Sequence, residues 1–66
     1  MKIGTKIRVG WKMKKYNNQF KTRQGIIDEA SIFFEDRFGN PCLTFLTDEG
    51  HRTAVNYTIT VIKKGV

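Results

Sequence analysis

Seven cationic side chains lie between Lys6 and Arg23, with no acidic residue among them. Cations of this kind neutralise phosphate groups, and flat rings beside them offer surfaces on which bases stack. Most of these cations are lysines, which act as point charges, so the pattern favours contacts to a nucleic-acid backbone with little sequence readout. The predicted nucleic-acid-binding residues are Lys6, Arg8, Lys12, Lys14, Lys15, Tyr16, Phe20, Lys21 and Arg23.

The charge of the chain is unevenly distributed along its length. The net charge is +6, but residues 1–26 hold eight cations and no acid, whereas residues 27–66 hold four cations and all six acids. A field of one sign on part of a small domain attracts polyanions and steers their approach. The alternative is an excess of lysine that serves solubility alone.

No group of residues has the composition of a catalytic or metal site. The chain has one histidine, His51, and one cysteine, Cys42, whereas a His/Cys metal site needs several converging ligands. The acids form adjacent pairs at 28–29, 35–36 and 48–49, and neighbouring side chains of an extended chain point to opposite faces, so we expect these acids to be solvated. We therefore expect no enzyme activity, metal, cofactor or small-molecule substrate, with Cys42 buried as a small apolar residue and His51 solvated at the surface.

Cysteine content and hydropathy bear on the cellular compartment. Secreted domains of this size usually carry several cysteines in disulfides, and this chain has one. The longest apolar run, at residues 32–34, is far shorter than the roughly 20 residues that cross a bilayer as a helix. We expect a cytoplasmic protein without a membrane partner.

Strict alternation from Thr5 to Lys14 predicts the first strand. Apolar residues, including Trp11, occupy one face, and cations occupy most of the other. Trp11 is accordingly interpreted as a core residue. Residues 15–22 break the alternation and are predicted to form a long basic loop that contains Tyr16 and Phe20.

The rest of the chain alternates between apolar segments and turns. Residues 26–34 fit a long bent strand, favoured by their β-branched and aromatic content, or a short helix, which the spacing also allows. Further strands are predicted at 42–47, 51–55 and 58–63, separated by turns at 38–41, 48–50 and 56–57. This order predicts a single all-β domain over residues 1–66, a small five-stranded barrel with a long basic loop after strand 1.

The order of strands resembles the SH3-like barrel. Residues 2–9 (KIGTKIRV) and 20–27 (FKTRQGII) resemble a KOW-type module, which begins with a glycine before an alternating apolar strand and later carries a glycine followed by two branched apolar residues. Residues 54–58 (AVNYT) are similar to the turn before the last strand of eukaryotic SH3 domains. KOW-like proteins commonly bind RNA, ribosomal components or transcription machinery, and the resemblance implies such a role.

The expected function is nucleic-acid binding through the phosphate backbone of DNA or RNA, associated with transcription or translation. The alternative is a protein-interaction module or small inhibitor, for example phage-encoded, that presents the same basic face to an acidic protein. An open strand edge could also accept a strand from such a partner. The sequence leaves the choice between DNA, RNA and protein open, together with the oligomeric state.

Overall fold

The chain folds into a small all-β half-barrel, which confirms the predicted fold class. The structure is a computed structural model that describes residues 1–13 and 19–65. Six antiparallel strands form one curled sheet. The strands are β1 (Lys6–Met13), β2 (Gln19–Ile26), β3 (Phe33–Glu35), β4 (Pro41–Thr47), β5 (Gly50–Val55) and β6 (Thr58–Lys63).

The sheet runs in the order β3-β4-β2-β1-β6, and β5 pairs with β4. β2 meets β4 through the pair Ile26 and Leu46, and β3 continues along the same edge of β4. The curl brings β1 into contact with β5 on the inner side. The two faces of the sheet are therefore an inner face, which encloses the core, and an outer face, which is turned to solvent.

The segment predicted as a long bent strand or a short helix is divided into two strands. β2 ends at Ile26 and β3 begins at Phe33, with a turn between them. This turn is stabilised at both ends, because the Ser31 amide donates to the Asp28 carbonyl (3.1 Å) and the Asp28 amide donates to Ser31 Oγ (2.9 Å). The interruption explains why six strands stand where five were predicted.

The core is built from the apolar positions of β1, β4 and β5. Ile7, Val9, Leu43 and Phe45 are at most 1% exposed, and Ala54 packs with them. Burial of a large apolar side chain stabilises the fold by about 1.5–3 kcal/mol. The alternation of β1 thus places Ile7 and Val9 inside, as predicted.

Trp11 packs against this core but is not enclosed by it. Its side chain is partly buried together with Tyr57 and Ile59. Its indole Nε1 donates a hydrogen bond to Met13 Sδ at 3.1 Å. Trp11 therefore contributes to the edge of the core and leaves part of its ring accessible.

Residues 19–22, which were predicted to belong to a loop over residues 15–22, form part of a strand instead. β2 begins at Gln19, so Phe20 and Lys21 belong to a strand that pairs with β1. The prediction was wrong for residues 19–22 because their inward positions are polar, which hides the alternation of a strand. Residues 14–18 lie outside the described part of the chain.

The later turns and strands follow the sequence pattern closely. β4, β5 and β6 begin and end within one residue of the predicted bounds. Positive φ angles occur at Gly39 (78°), Gly50 (102°) and Asn56 (50°), each in a turn, where glycine and asparagine are tolerated. Among the described residues, no helix is long and apolar enough to cross a membrane.

Candidate functional site

Three of the predicted binding residues lie side by side on the outer face of β1. Lys6, Arg8 and Lys12 occupy alternate outward positions and are all exposed, whereas Ile7 and Val9 between them are buried. Residues two apart along a strand lie on the same face, and the rise of about 3.4 Å per residue spreads these three cations over about 20 Å. Strand geometry therefore produces the row of positive charge that the sequence predicted.

The neighbouring strands extend this row into a surface. Residues directly opposite each other in an antiparallel pair share a face. The surface formed by these outward residues is called the basic face below. Its members are Lys6, Arg8, Gly10 and Lys12 on β1, Phe20, Thr22, Gln24 and Ile26 on β2, and Thr58, Thr60 and Lys63 on β6.

Lys63 is a cation of the basic face that sequence reasoning missed. The pairing of β1 with β6 shifts register between Lys6 and Ile7, so that Lys63 stands opposite Lys6. A bulge of this kind changes which residues face outward, and the alternation of β6 alone does not reveal it. The sequence feature that could have identified this cation is the pair Lys63 and Lys64 at the end of the last predicted strand.

The basic face carries four cations and no carboxylate. No acidic residue occurs in the sequences of β1, β2 or β6. Within residues 1–13 and 19–65, no ion pair engages Lys6, Arg8, Lys12 or Lys63. Cations that form no ion pair within these residues contribute to a positive field over this surface.

Phe20 adds an aromatic ring to the same surface. The ring is 55% exposed, and its far end lies over Gly10 of the adjacent strand. A Cβ atom at Gly10 would lie 2.5 Å from Phe20 Cζ and 3.0 Å from Thr58 Oγ1. The glycine therefore allows the ring to extend along the sheet surface instead of standing away from it.

Two further predicted residues, Lys21 and Arg23, do not belong to the basic face. Lys21 pairs with Trp11, and Arg23 pairs with Val9. Both partners point inward, so Lys21 and Arg23 leave β2 on the inner side. Lys21 is exposed there, whereas Arg23 is partly buried.

Arg23 is held by two carboxylates at the turn between β4 and β5. Its Nη2 lies 2.8 Å from Asp48 Oδ1 and 2.8 Å from Glu49 Oε1, and Arg52 Nη2 lies 3.5 Å from Glu49 Oε2. The hydrogen bond from Arg23 holds the pKa of Glu49 below its ordinary value, and the two carboxylates raise the pKa of Arg23. We call this cluster of Arg23, Asp48, Glu49 and Arg52 the ion-paired end.

The ion-paired end corrects the expectation that adjacent acids are merely solvated. Asp48 and Glu49 converge on one guanidinium because they form the turn that joins two paired strands. Side chains of an extended chain point apart, but those of a turn need not. The contact joins residues 25 positions apart, so the local sequence gave no sign of it.

His51 is exposed, as predicted, but it is hydrogen-bonded. Its Nε2 lies 2.7 Å from Asp28 Oδ2, and Ser31 Oγ donates to Asp28 Oδ1 at 2.9 Å. The bond with His51 is the main cause that lowers the pKa of Asp28, and the Ser31 hydroxyl acts in the same direction. This contact ties the turn after β2 to β5.

A groove of about 700 Å³ adjoins the basic face at the end of β1. Lys12 and Phe20 line it from the outer side, and Trp11 lines it from the inner side. The side-chain amides of Asn40 and Asn56 supply polar groups, and Val55 adds apolar surface. The groove therefore joins two aromatic rings, hydrogen-bonding groups and a cation.

The remaining residues for which the sequence made predictions are Lys14, Lys15, Tyr16 and Cys42. Lys14, Lys15 and Tyr16 lie outside the described residues. Cys42 is 2% exposed, which confirms its assignment as a buried residue. Within the part of the chain that the structure describes, no three His, Cys, Asp or Glu side chains are grouped to hold a metal ion.

Comparison with protein-family models, with curated proteins and with solved structures finds no match to this chain.

Proposed function

We propose that this protein binds nucleic acid through its basic face, contacting phosphates with little sequence specificity. The observation that carries the proposal is the row of Lys6, Arg8 and Lys12, exposed on one face and extended by Lys63, with no carboxylate on the three strands. Phosphate neutralisation by such cations releases condensed counterions, which drives binding.

The composition of the face favours backbone contacts. Three of its four cations are lysines, and the hydroxyls of Thr22, Thr58 and Thr60 lie among them. Lysine ammonium groups and threonine hydroxyls bind phosphate oxygens without reading bases. Arg8 is the cation of the face whose guanidinium is suited to bidentate base recognition.

The half-barrel is consistent with the resemblance to KOW-type modules of SH3-like fold. On that resemblance we propose a cytoplasmic, non-catalytic protein without a cofactor, associated with transcription or translation. Lys14, Lys15 and Tyr16 remain part of the proposed site on sequence grounds, since they connect the two strands that carry the face. Arg23 is proposed to stabilise the fold instead of binding phosphate, because its guanidinium is already engaged.

Fluorescence anisotropy at several salt concentrations tests the proposal. Four phosphate contacts give a slope of log affinity against log salt of about −3 to −4 for a labelled oligonucleotide. Binding that is absent at low salt, or that does not depend on salt, would contradict the proposed function.

A second candidate function is protein binding at the edge formed by β3. Phe33 is 51% exposed and Phe38 is 79% exposed, and β3 lies at the end of the sheet order, paired to β4. Apolar side chains beside a strand edge favour addition of a strand from a partner. If this is the function, Phe33→Ser with Phe38→Ser abolishes capture of a defined protein partner and leaves oligonucleotide binding unchanged.

A further inference from the structure

The basic face and the adjoining groove together offer more than phosphate contacts. The exposed ring of Phe20 lies between the cation row and the groove, since Phe20 stands opposite Lys12 and its tip reaches Gly10. The same ring and Trp11 line the groove. Resting on the proposed nucleic-acid function, we propose that the ligand is a single strand whose phosphates follow the cations of β1 while a base stacks on Phe20 in the groove.

The position of the Phe20 ring distinguishes a single strand from a duplex. In a duplex the base faces are covered by their neighbours, and a ring reaches them only as a wedge that unstacks a step. The Phe20 ring lies along the sheet over Gly10 and does not protrude as a wedge. An unstacked base of a single strand can instead be laid on the exposed part of the ring.

The groove is suited to receive that base. Its volume of about 700 Å³ lies in the range of small-ligand sites, about 300–1,000 Å³. Aromatic and aliphatic side chains cover the faces of a base. Asn56 Nδ2 donates to Asn40 Oδ1 at 3.4 Å and Asn40 Nδ2 donates to Asp36 Oδ2 at 3.2 Å, and the second N–H of each amide can donate to the edge of the base. Lys12 at the rim lies where the phosphate next to that base would pass.

The experiment compares base-bearing single strands with an abasic strand and with a duplex. The ligands are an oligodeoxyuridylate and an oligouridylate of about eight nucleotides, which share their base and differ in their sugar, an abasic deoxyribose strand of equal length, and a duplex of equal phosphate number. Affinity is measured by anisotropy for the wild type, Phe20→Leu and Phe20→Tyr. Emission of Trp11, the one tryptophan in the chain, reports occupation of the groove.

We expect the base-bearing strands to bind at least about fivefold more tightly than the abasic strand, which is the lower end of the effect of one stacked base. Phe20→Leu lowers the affinity for base-bearing strands towards that for the abasic strand, whereas Phe20→Tyr retains the difference. Trp11 emission changes with base-bearing strands alone. The oligodeoxyuridylate and oligouridylate arms identify the preferred sugar, and the proposal holds for either sugar or for both.

A second variant tests the ring position without removing it. Gly10→Ala places a Cβ against the far end of the Phe20 side chain, which must move. We expect base-dependent binding to fall while melting temperature and circular dichroism remain those of a folded domain. If Phe20→Leu fails to fold, Gly10→Ala still tests whether base-dependent binding requires the position of the Phe20 ring.

Three results overturn the single-strand proposal while the proposed function stands. They are equal affinity for abasic and base-bearing strands, tighter binding of the duplex, and an equal loss for all strands in Phe20→Leu. If no strand binds, or if Arg8→Glu with Lys12→Glu leaves abasic binding intact, the proposed function itself fails.

Discussion

Arg8 and Arg23 occupy neighbouring strands, and their environments are opposite. Arg8 stands opposite Gln24, which is the residue that follows Arg23 in the chain. Arg8 is exposed on a face without carboxylates, whereas Arg23 donates to both Asp48 and Glu49 in the turn between β4 and β5. The face of the strand from which a side chain leaves therefore decides which cations of a basic segment are available to a ligand.

The basic face and the ion-paired end also differ in what their charges do. At the ion-paired end, cations and carboxylates satisfy each other and join β2 to the turn between β4 and β5. On the basic face, the like charges of Lys6, Arg8 and Lys63 stand close together and form no ion pair within the described residues. Such repulsion disfavours the folded state, and a polyanion that binds the face relieves it.

Reversal of charge on the basic face is expected to have the largest effect. Arg8→Glu with Lys12→Glu removes two charged contacts and introduces repulsion, so oligonucleotide affinity at low salt falls at least about 100-fold. The matched control, Arg37→Glu with Arg52→Glu, makes the same change in net charge at two exposed residues outside the basic face and the groove. Anisotropy titrations of both variants measure the difference.

Equal losses in the two variants would contradict the distinction between the regions. They would mean that net charge alone controls binding, so that the protein attracts polyanions without a defined surface.

Substitution of the buried glycines of β1 and β2, Gly10 and Gly25, is expected to affect binding in one case and stability in the other. A Cβ at Gly25 meets Phe45 Cδ2 at 2.5 Å and the Leu46 carbonyl oxygen at 2.6 Å, both parts of the packed interior. Overpacking of this kind costs about 1–3 kcal/mol, so Gly25→Ala lowers the melting temperature by about 4–20 °C. Gly10→Ala is the control, because it displaces the tip of an exposed side chain and changes the melting temperature little. A lower melting temperature for Gly10→Ala than for Gly25→Ala would show that the Phe20 ring supports the fold.

Removal of the paired arginine is expected to have a small effect on stability and none on binding. Arg23→Gln breaks the contacts to Asp48 and Glu49, so the melting temperature falls slightly and the pKa of Glu49 rises towards its ordinary value of 4.5. Because a lowered carboxylate pKa stabilises the fold above pH 4.5 and this stabilisation is lost as pH falls, the variant loses less stability on acidification. NMR titration of the carboxylates and thermal melts measure both effects. A reduced salt dependence of oligonucleotide binding in Arg23→Gln would instead place Arg23 among the phosphate contacts.

The smallest expected effect is a change in acid stability at the turn after β2. The bond with His51 lowers the pKa of Asp28 below 3.8, so its contribution is present above that pH and is lost as pH falls through the lowered value. Asp28→Asn is therefore slightly less stable than the wild type at pH 6, and the two converge in acid. Urea unfolding at a series of pH values tests this, and a constant difference between the proteins would refute it.

Sequence periodicity predicted the elements whose two faces differ in environment. The alternation of β1 identified Ile7 and Val9 as core and Lys6, Arg8 and Lys12 as one exposed row. β2 lacks that alternation because the half-barrel is open beside it, so its inward residues Lys21 and Arg23 need not be apolar.

The features that the sequence did not predict depend on long-range pairing. Lys63 joins the basic face through a register shift between the first and last strands. The contact of Arg23 with Asp48 joins distant segments, and the contact of the Phe20 ring with Gly10 depends on the register of the strand pair. Local patterns specify which way a strand faces, but they do not specify which strand lies beside it.

The central claim, that the basic face is the ligand-binding surface, is tested most directly by mapping amide chemical shifts during titration with a single-stranded oligonucleotide. We expect the largest changes at Lys6, Arg8, Lys12, Phe20 and Thr58, and little change at the amides of Arg23, Asp48 and Glu49. Largest changes at the ion-paired end or along β3, with the basic face unaffected, would contradict it.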